Sequence, residues 1–444
     1  MKKLLFWLLV VVLSVSMIAT FALAGCKTEE AAAVEEEEEA AAVEEEEEAV
    51  TNIKFASIFP TEPGRKELWE GFANKFEKEF PQYTIEMVAI PWGEYANQMK
   101  ILFASDPPDI IWSPGLGELA LWVEQGYLEP LNDYLDWDYI LDNSSSPGSQ
   151  KAMEFDGKMY GIVNDICPYG GVFYNTKLWD EAGMTPDDFP TTPDEFINIA
   201  LKLTDAPNQY GLIWPTMAAD SRLLFWAYYT IYGFGGRIVA DDGTFAINSP
   251  ETIEGIKFYK KLIDSGAVPI GMDFTAQREL YYAGKVVMTQ EGGYWPAWCV
   301  GANPEIEGLV DAFYQPFPTK YNVAEPTGLS ISSQSSPEAK KGAVEYLKFY
   351  LRPEIQEEWI KVNGSPVTMK YAATEEYKNE NSWYQILEEA GPYALPWSVP
   401  GYEAQTNEIH DILTNYIGKV MDLDEDPAKA MNDAQKEVEA LFVK

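Results

Sequence analysis

The sequence predicts two α/β domains, the second inserted in the first. A chain of 444 residues exceeds what one ordinary core organises, so two domains are expected. From residue 51 onward, short apolar runs alternate with amphipathic helical stretches, as in a parallel sheet covered by helices. A hydrophobic content of 46% supplies the apolar surface that two cores need.

The elements follow in order. Residues 53–59 form a short apolar run broken by Pro60 and by Pro63-Gly64. Leu68, Phe72, Phe76 and Phe80 recur at the helical period with charges between them, so 65–80 is expected to be a helix that Pro81 ends. Residues 84–90 read as a second strand, 93–104 as a second amphipathic helix and 107–112 as a third, short buried strand. Ligands of such sheets gather at the carboxyl ends of the strands, which directs attention to 59–64, 91–95 and 112–115. A helix over 116–125 closes at Gly126, and the polar run 143–148 separates it from strands at 158–162 and 169–175. Thr192-Pro193-Asp194-Glu195 is a helix start before Phe196, Ile199, Ala200 and Leu203. Later helices are expected over 250–264, 274–283, 337–351, 353–362, 406–421 and 427–442, with strands at 285–290 and 329–332.

The first 50 residues are of another kind. Lys2 and Lys3 precede an apolar run over 4–23, the pattern of a signal peptide over 1–25. Leu23-Ala24-Gly25-Cys26 resembles the lipobox of bacterial lipoproteins, in which the cysteine is acylated, so Cys26 is the expected lipid attachment. An uncleaved membrane anchor is the alternative, and it leaves the body on the same side of the membrane. AAAVEEEEE then occurs twice in succession, at 31–39 and 40–48. A block of like charges with no apolar face repels itself and reads as an extended tether over 26–50.

The formal net charge is -39, with twelve of the 71 acids in that tether and three of the 32 bases in residues 1–27. The body retains 59 acids against 29 bases and shows no basic patch, which argues against nucleic acid or anionic lipid as a partner. An anionic ligand is disfavoured on the same ground. Beyond Cys26 only Cys167 and Cys299 remain; they either pair or stand as isolated thiols.

Catalytic chemistry is scarce. One histidine, His410, lies within a late amphipathic helix, so a Ser-His-Asp or Cys-His site and a His-rich metal cluster are not expected. No phosphate-binding GxxxxGK[ST] occurs, and no cofactor or metal is expected. Glu291 with Asp109 or Asp165 is the one carboxylate pair to weigh for glycoside hydrolysis. Aromatic residues are abundant instead, at 14%. Many sit at strand ends or beside Gly and Pro, and the stretch EGGYWPAW, 291–298, reads as a loop. Ring faces stack on the C–H face of a sugar while carboxylates and amides take its hydroxyls. Core packing is the competing use for each ring.

Four stretches carry a family resemblance: 72–111, 157–204, "YYAGKVVMTQEGGYW" at 281–295, and 326–359. In their order and spacing the chain resembles the bacterial extracellular solute-binding proteins of ABC sugar importers, the maltodextrin-binding-like group. The resemblance implies a two-lobed periplasmic-binding-protein-like clamp, each lobe a sheet flanked by helices, joined by crossing strands at 169–175 and 317–329. Lobe one would be 51–170 plus 328–370, and lobe two 171–327 plus 371–444. It further implies a monomer that binds a sugar or oligosaccharide in the interlobe cleft, is not an enzyme, and docks on ABC permease subunits outside the membrane. Positions matching the family's cleft are Phe59, Arg65, Trp92, Tyr95, Asp109, Trp112, Tyr169, Trp214, Glu291, Gly293 and Trp295, with Trp397 from a late Pro-rich segment. Trp295 is the foremost expected sugar platform. The same clamp with rings and carboxylates would also suit a cation of polyamine or betaine type.

Overall fold

A computed structural model describes residues 50–443 except Pro63, Ser221 and Glu325. The signal peptide, Cys26 and nearly all of the Glu-rich tether lie outside the described residues. The strands are β1 (Thr51–Ser57), β2 (Tyr83–Ala89), β3 (Ile110–Ser113), β4 (Glu154–Phe155), β5 (Lys158–Met159), β6 (Ile162–Ile166) and β7 (Gly171–Asn175). They continue with β8 (Tyr210–Ile213), β9 (Val286–Thr289), β10 (Val310–Tyr314), β11 (Asn322–Ala324), β12 (Pro326–Ile331) and β13 (Ala394–Pro396).

Two sheets organise the body. The first has the order β2-β1-β3-β12-β6, with β1 parallel to both neighbours and β12 antiparallel to β3 and β6. The second has the order β10-β7-β9-β8, in which only the β8–β9 pair is parallel. The chain leaves the first sheet between β6 and β7 and returns between β10 and β12. At the first crossing Tyr169 N–H donates to Val323 O and Gln315 N–H to Gly170 O, each at 3.1 Å, so both crossings are tied together.

The helices expected over the first sheet form where the apolar period places them. Arg65–Glu79 buries Trp69, Phe72 and Phe76, and Trp69 stacks on Phe59 with centroids 4.3 Å apart. Trp359 of the helix Pro353–Asn363 closes on both rings. The start at Thr192 is a complete capping box: Glu195 N–H donates to the Thr192 hydroxyl and Thr192 N–H to the Glu195 carboxylate.

Other elements escape the periodic reading. The helix Leu223–Gly233, LLFWAYYTIYG, is buried on nearly every side and so carries no polar stripe to reveal its period. The stretch 291–298, expected as loop, instead enters the helix Trp295–Ala302 at Trp295, with Pro296 in its first turn, where a missing N–H costs little.

Candidate functional site

The segment after β9 packs against the end of the helix Pro353–Asn363. All four β9 residues are buried, and burial continues through Gln290, Glu291, Gly292 and Gly293. A Cβ at Gly293 would lie 2.8 Å from Gly364 O and from Ser365 N, and Gly364 itself has φ +71°. Two backbones touch here, and only glycine permits it.

Glu291 is the electrostatic centre of this segment. Arg278, from the helix Phe274–Tyr282, donates through Nε and Nη2 to the two carboxylate oxygens at 2.5 and 2.7 Å. Tyr294 O–H donates to Oε2 at 2.7 Å, and its oxygen lies 2.8 Å from that of Tyr169. Burial, the largest single influence, would lower the Arg278 pKa, but the Glu291 charge and hydrogen bonds together with Tyr294 and Tyr282 outweigh it and keep the guanidinium protonated more firmly than usual.

Across the junction, Arg65 Nη2 donates to Asn363 Oδ1 at 2.7 Å. Its charge opposes the burial that raises the Asp165 carboxyl. The guanidiniums of Arg65 and Arg278 lie 6.0 and 5.3 Å from the same ring, Trp298. Arg222 and Arg278 share a second ring, Phe274, at 5.6 and 5.0 Å. Half-buried Glu62, in the turn before Arg65, has its carboxyl raised by burial, with the three arginines Arg65, Arg278 and Arg222 pulling it back down. The half-buried rings of Tyr294, Trp298, Phe225 and Trp397 complete the junction; Phe225 bridges Tyr169 and Trp397 at 4.7 and 5.1 Å.

Several expected site residues turn out to serve the core. Trp295 is fully buried against Tyr281 and Tyr282, because the helix it opens points it inward. Phe59 is sealed under Trp69, and Trp214 is fully buried beside Trp226, Tyr229 and Tyr259. Tyr95 hangs β1 and β3 together, donating to Ala56 O and Trp112 O at 3.0 and 2.6 Å. Asp109 accepts the Lys54 N–H at 2.9 Å, a strand-closing role. Trp112 is buried between Phe59 and Tyr95, with the exposed Trp92 against its edge. The junction itself contains Arg65, Tyr169, Glu291, Gly293 and Trp397 of the expected set. It adds Glu62, Arg222, Phe225 and Arg278, which ring-counting overlooked. For the arginines the signal was rarity: the chain has five, and three of them, Arg65, Arg222 and Arg278, belong to this junction. Cys167 and Cys299 are both free thiols. The first takes a 3.3 Å hydrogen bond from Ser365 Oγ, and burial pushes it up to about 12.

Comparison with known proteins agrees with this architecture. Residues 60–357 match the profile of the family described as bacterial extracellular solute-binding protein. A binding protein of Brucella abortus is 24% identical over 395 residues, covering 85% of this chain and 90% of that one. An ABC transporter solute-binding protein from Thermotoga lettingae, solved with α-D-tagatose, superposes with a TM-score of 0.76 at 22% identity, over 89% of this chain and 100% of that chain. The GacH receptor of Streptomyces glaucescens, solved unliganded and with acarbose, gives 0.76 at 20% identity, over 88% and 98%.

Proposed function

We infer that this chain, which belongs to the bacterial extracellular solute-binding proteins, holds a neutral sugar, an oligosaccharide, between its lobes and delivers it to an ABC importer. The observation that carries this reading is the junction lining: half-buried Trp298, Tyr294, Phe225 and Trp397 beside Arg222 and Glu62. Rings offer faces for a pyranose, a guanidinium donates to hydroxyls and a carboxylate accepts from them. The tagatose and acarbose complexes of the structural neighbours point to the same ligand class. A cationic ligand is the weaker reading, since it would face three guanidiniums. Hydrolysis with Glu291 as an acid or base is weaker still, because Arg278 engages both of its oxygens.

Lobe one comprises 51–170 plus 328–370 and lobe two 171–327 plus 371–444. Rotation at the paired crossings brings them together on the ligand, and the closed form is what the permease subunits recognise. Acylation at Cys26, with 26–50 as tether, holds the monomer at the outer face of the cell membrane beside that permease. A thermal-shift panel of neutral gluco-, galacto-, manno- and xylo-oligosaccharides tests the ligand class. At ligand a hundredfold above Kd, a cognate sugar adds about 2.7 kcal/mol and raises Tm by several degrees. A flat panel would contradict the sugar reading.

A further inference from the structure

The arginines at the junction differ in how they are compensated. Arg278 is held by Glu291 at ion-pair distance, and Arg65 is held by Asn363 with Asp165 nearby. Arg222 has, among the described residues, no carboxylate within ion-pair distance of its guanidinium, which lies over Phe274. Asp220 is close in sequence, but its two oxygens accept the backbone N–H groups of Arg222 and Phe274 at 2.9 and 2.7 Å. Glu62, three residues before Arg65 in the same turn, is the carboxylate on which the charges of Arg65, Arg278 and Arg222 all act. Its backbone is fixed by the 3-10 turn Phe59–Thr61 and by Arg65 N–H donating to its carbonyl at 3.2 Å. Its carboxylate, among the described residues, makes no hydrogen bond and no ion pair. A half-buried carboxylate with no local partner, set before three guanidiniums, acts through its field.

We propose that Glu62 sets the charge selectivity of the cleft: it offsets Arg222, Arg278 and Arg65, so that a neutral sugar is accepted and a uronate is refused. The inference rests on the sugar reading above. A uronate carries a carboxylate where the neutral sugar has a hydroxymethyl group. In this cleft Glu62 repels that carboxylate while the arginines attract it. Removing the Glu62 charge shifts the junction by one unit toward positive and leaves Arg222 free to pair with the ligand.

The test compares the wild type with Glu62→Gln in calorimetry, using the same neutral oligosaccharides and galacturonate and glucuronate oligomers of equal length. The wild type is expected to bind a neutral member and no uronate of matching length. The variant is expected to gain about tenfold or more in uronate affinity, the size of one charge acting over a few ångströms of partly wet protein. Adding Arg222→Gln should reverse the gain. Glu62 makes no side-chain hydrogen bond, so the variant should fold, and its unliganded Tm checks this. Wild-type binding of a uronate as tight as its neutral counterpart overturns the proposal, as does a Glu62→Gln variant with no gain. If neutral sugars bind the wild type and only the gain fails, the sugar reading stands and this inference falls. If nothing in either panel binds, both fall.

Discussion

Replacing Glu291 by Ala is expected to destabilise the folded chain by about 3–5 kcal/mol, measured as a shift of the urea midpoint at unchanged slope. The side chains of Arg278 and Glu291 are 6% and 0% exposed. Truncating the acid strands a guanidinium that water does not reach. It also removes the acceptor of Tyr294 O–H, and with it one end of the chain of hydroxyls leading to Tyr169. Glu291→Gln keeps the shape and the Tyr294 acceptor but not the charge, so an intermediate loss is expected. Arg278→Met together with Glu291→Gln should recover part of the stability, because the cost lies in the unpaired charge more than in the lost contact. A loss below 1 kcal/mol in the Ala variant would mean that water reaches Arg278 in solution.

The second large effect is one of pH. His410 is 8% exposed, with Nε2 lying 3.0 Å from Tyr228 Oη and 3.2 Å from Trp397 O. Burial disfavours its charged form and takes its pKa down to about 3, against the opposing pull of the Trp397 carbonyl. In the unfolded chain a histidine titrates near 6.5. Between these values the unfolded state binds the extra proton, so stability rises with pH across that window. The His410 contribution is complete above about pH 6.5 and is lost as pH falls, amounting to roughly 3–5 kcal/mol by pH 3. The chain has no other histidine, so His410→Gln isolates the effect. The variant should lose less stability than the wild type between pH 7 and pH 4. Parallel pH profiles would show that His410 is hydrated in the native state.

Helices with a polar face were legible from sequence to within a few residues. The helix 250–264 was read with the bounds Pro250–Asp264 that it has, and Thr192 caps as expected. The helix Leu223–Gly233 was not legible, because burial on nearly every side erases the contrast that periodicity depends on. The parallel reading held for β1, β2 and β3, which are joined by helices. The returning β12 is antiparallel, and no local pattern announces the direction of a strand that rejoins the sheet only after the whole of the second one has formed. For the site, position along the chain was the better guide. The segment 291–298 does lie at the junction, but which of its rings faces inward depends on the helix starting at Trp295. That helix turns Trp295 into the core and leaves Tyr294 and Trp298 half-buried at the junction. A chain-wide excess of acid coexists with three arginines in one small region, and their local balance depends on side chains such as Glu62 and Glu291.

Trp298 offers the most direct test of the proposed site. Its ring centroid lies 6.0 and 5.3 Å from the Arg65 and Arg278 guanidiniums with Tyr294 at 4.5 Å, and its indole Nε1 has no protein partner among the described residues. Calorimetric titration of the wild type and of Trp298→Ala with the tightest-binding oligosaccharide of the neutral panel should give one site in both. The variant should be weaker by at least fivefold, about 1 kcal/mol, from the lost ring face. An unchanged affinity, or a wild type that binds no member of the panel, would contradict a neutral sugar held at this junction.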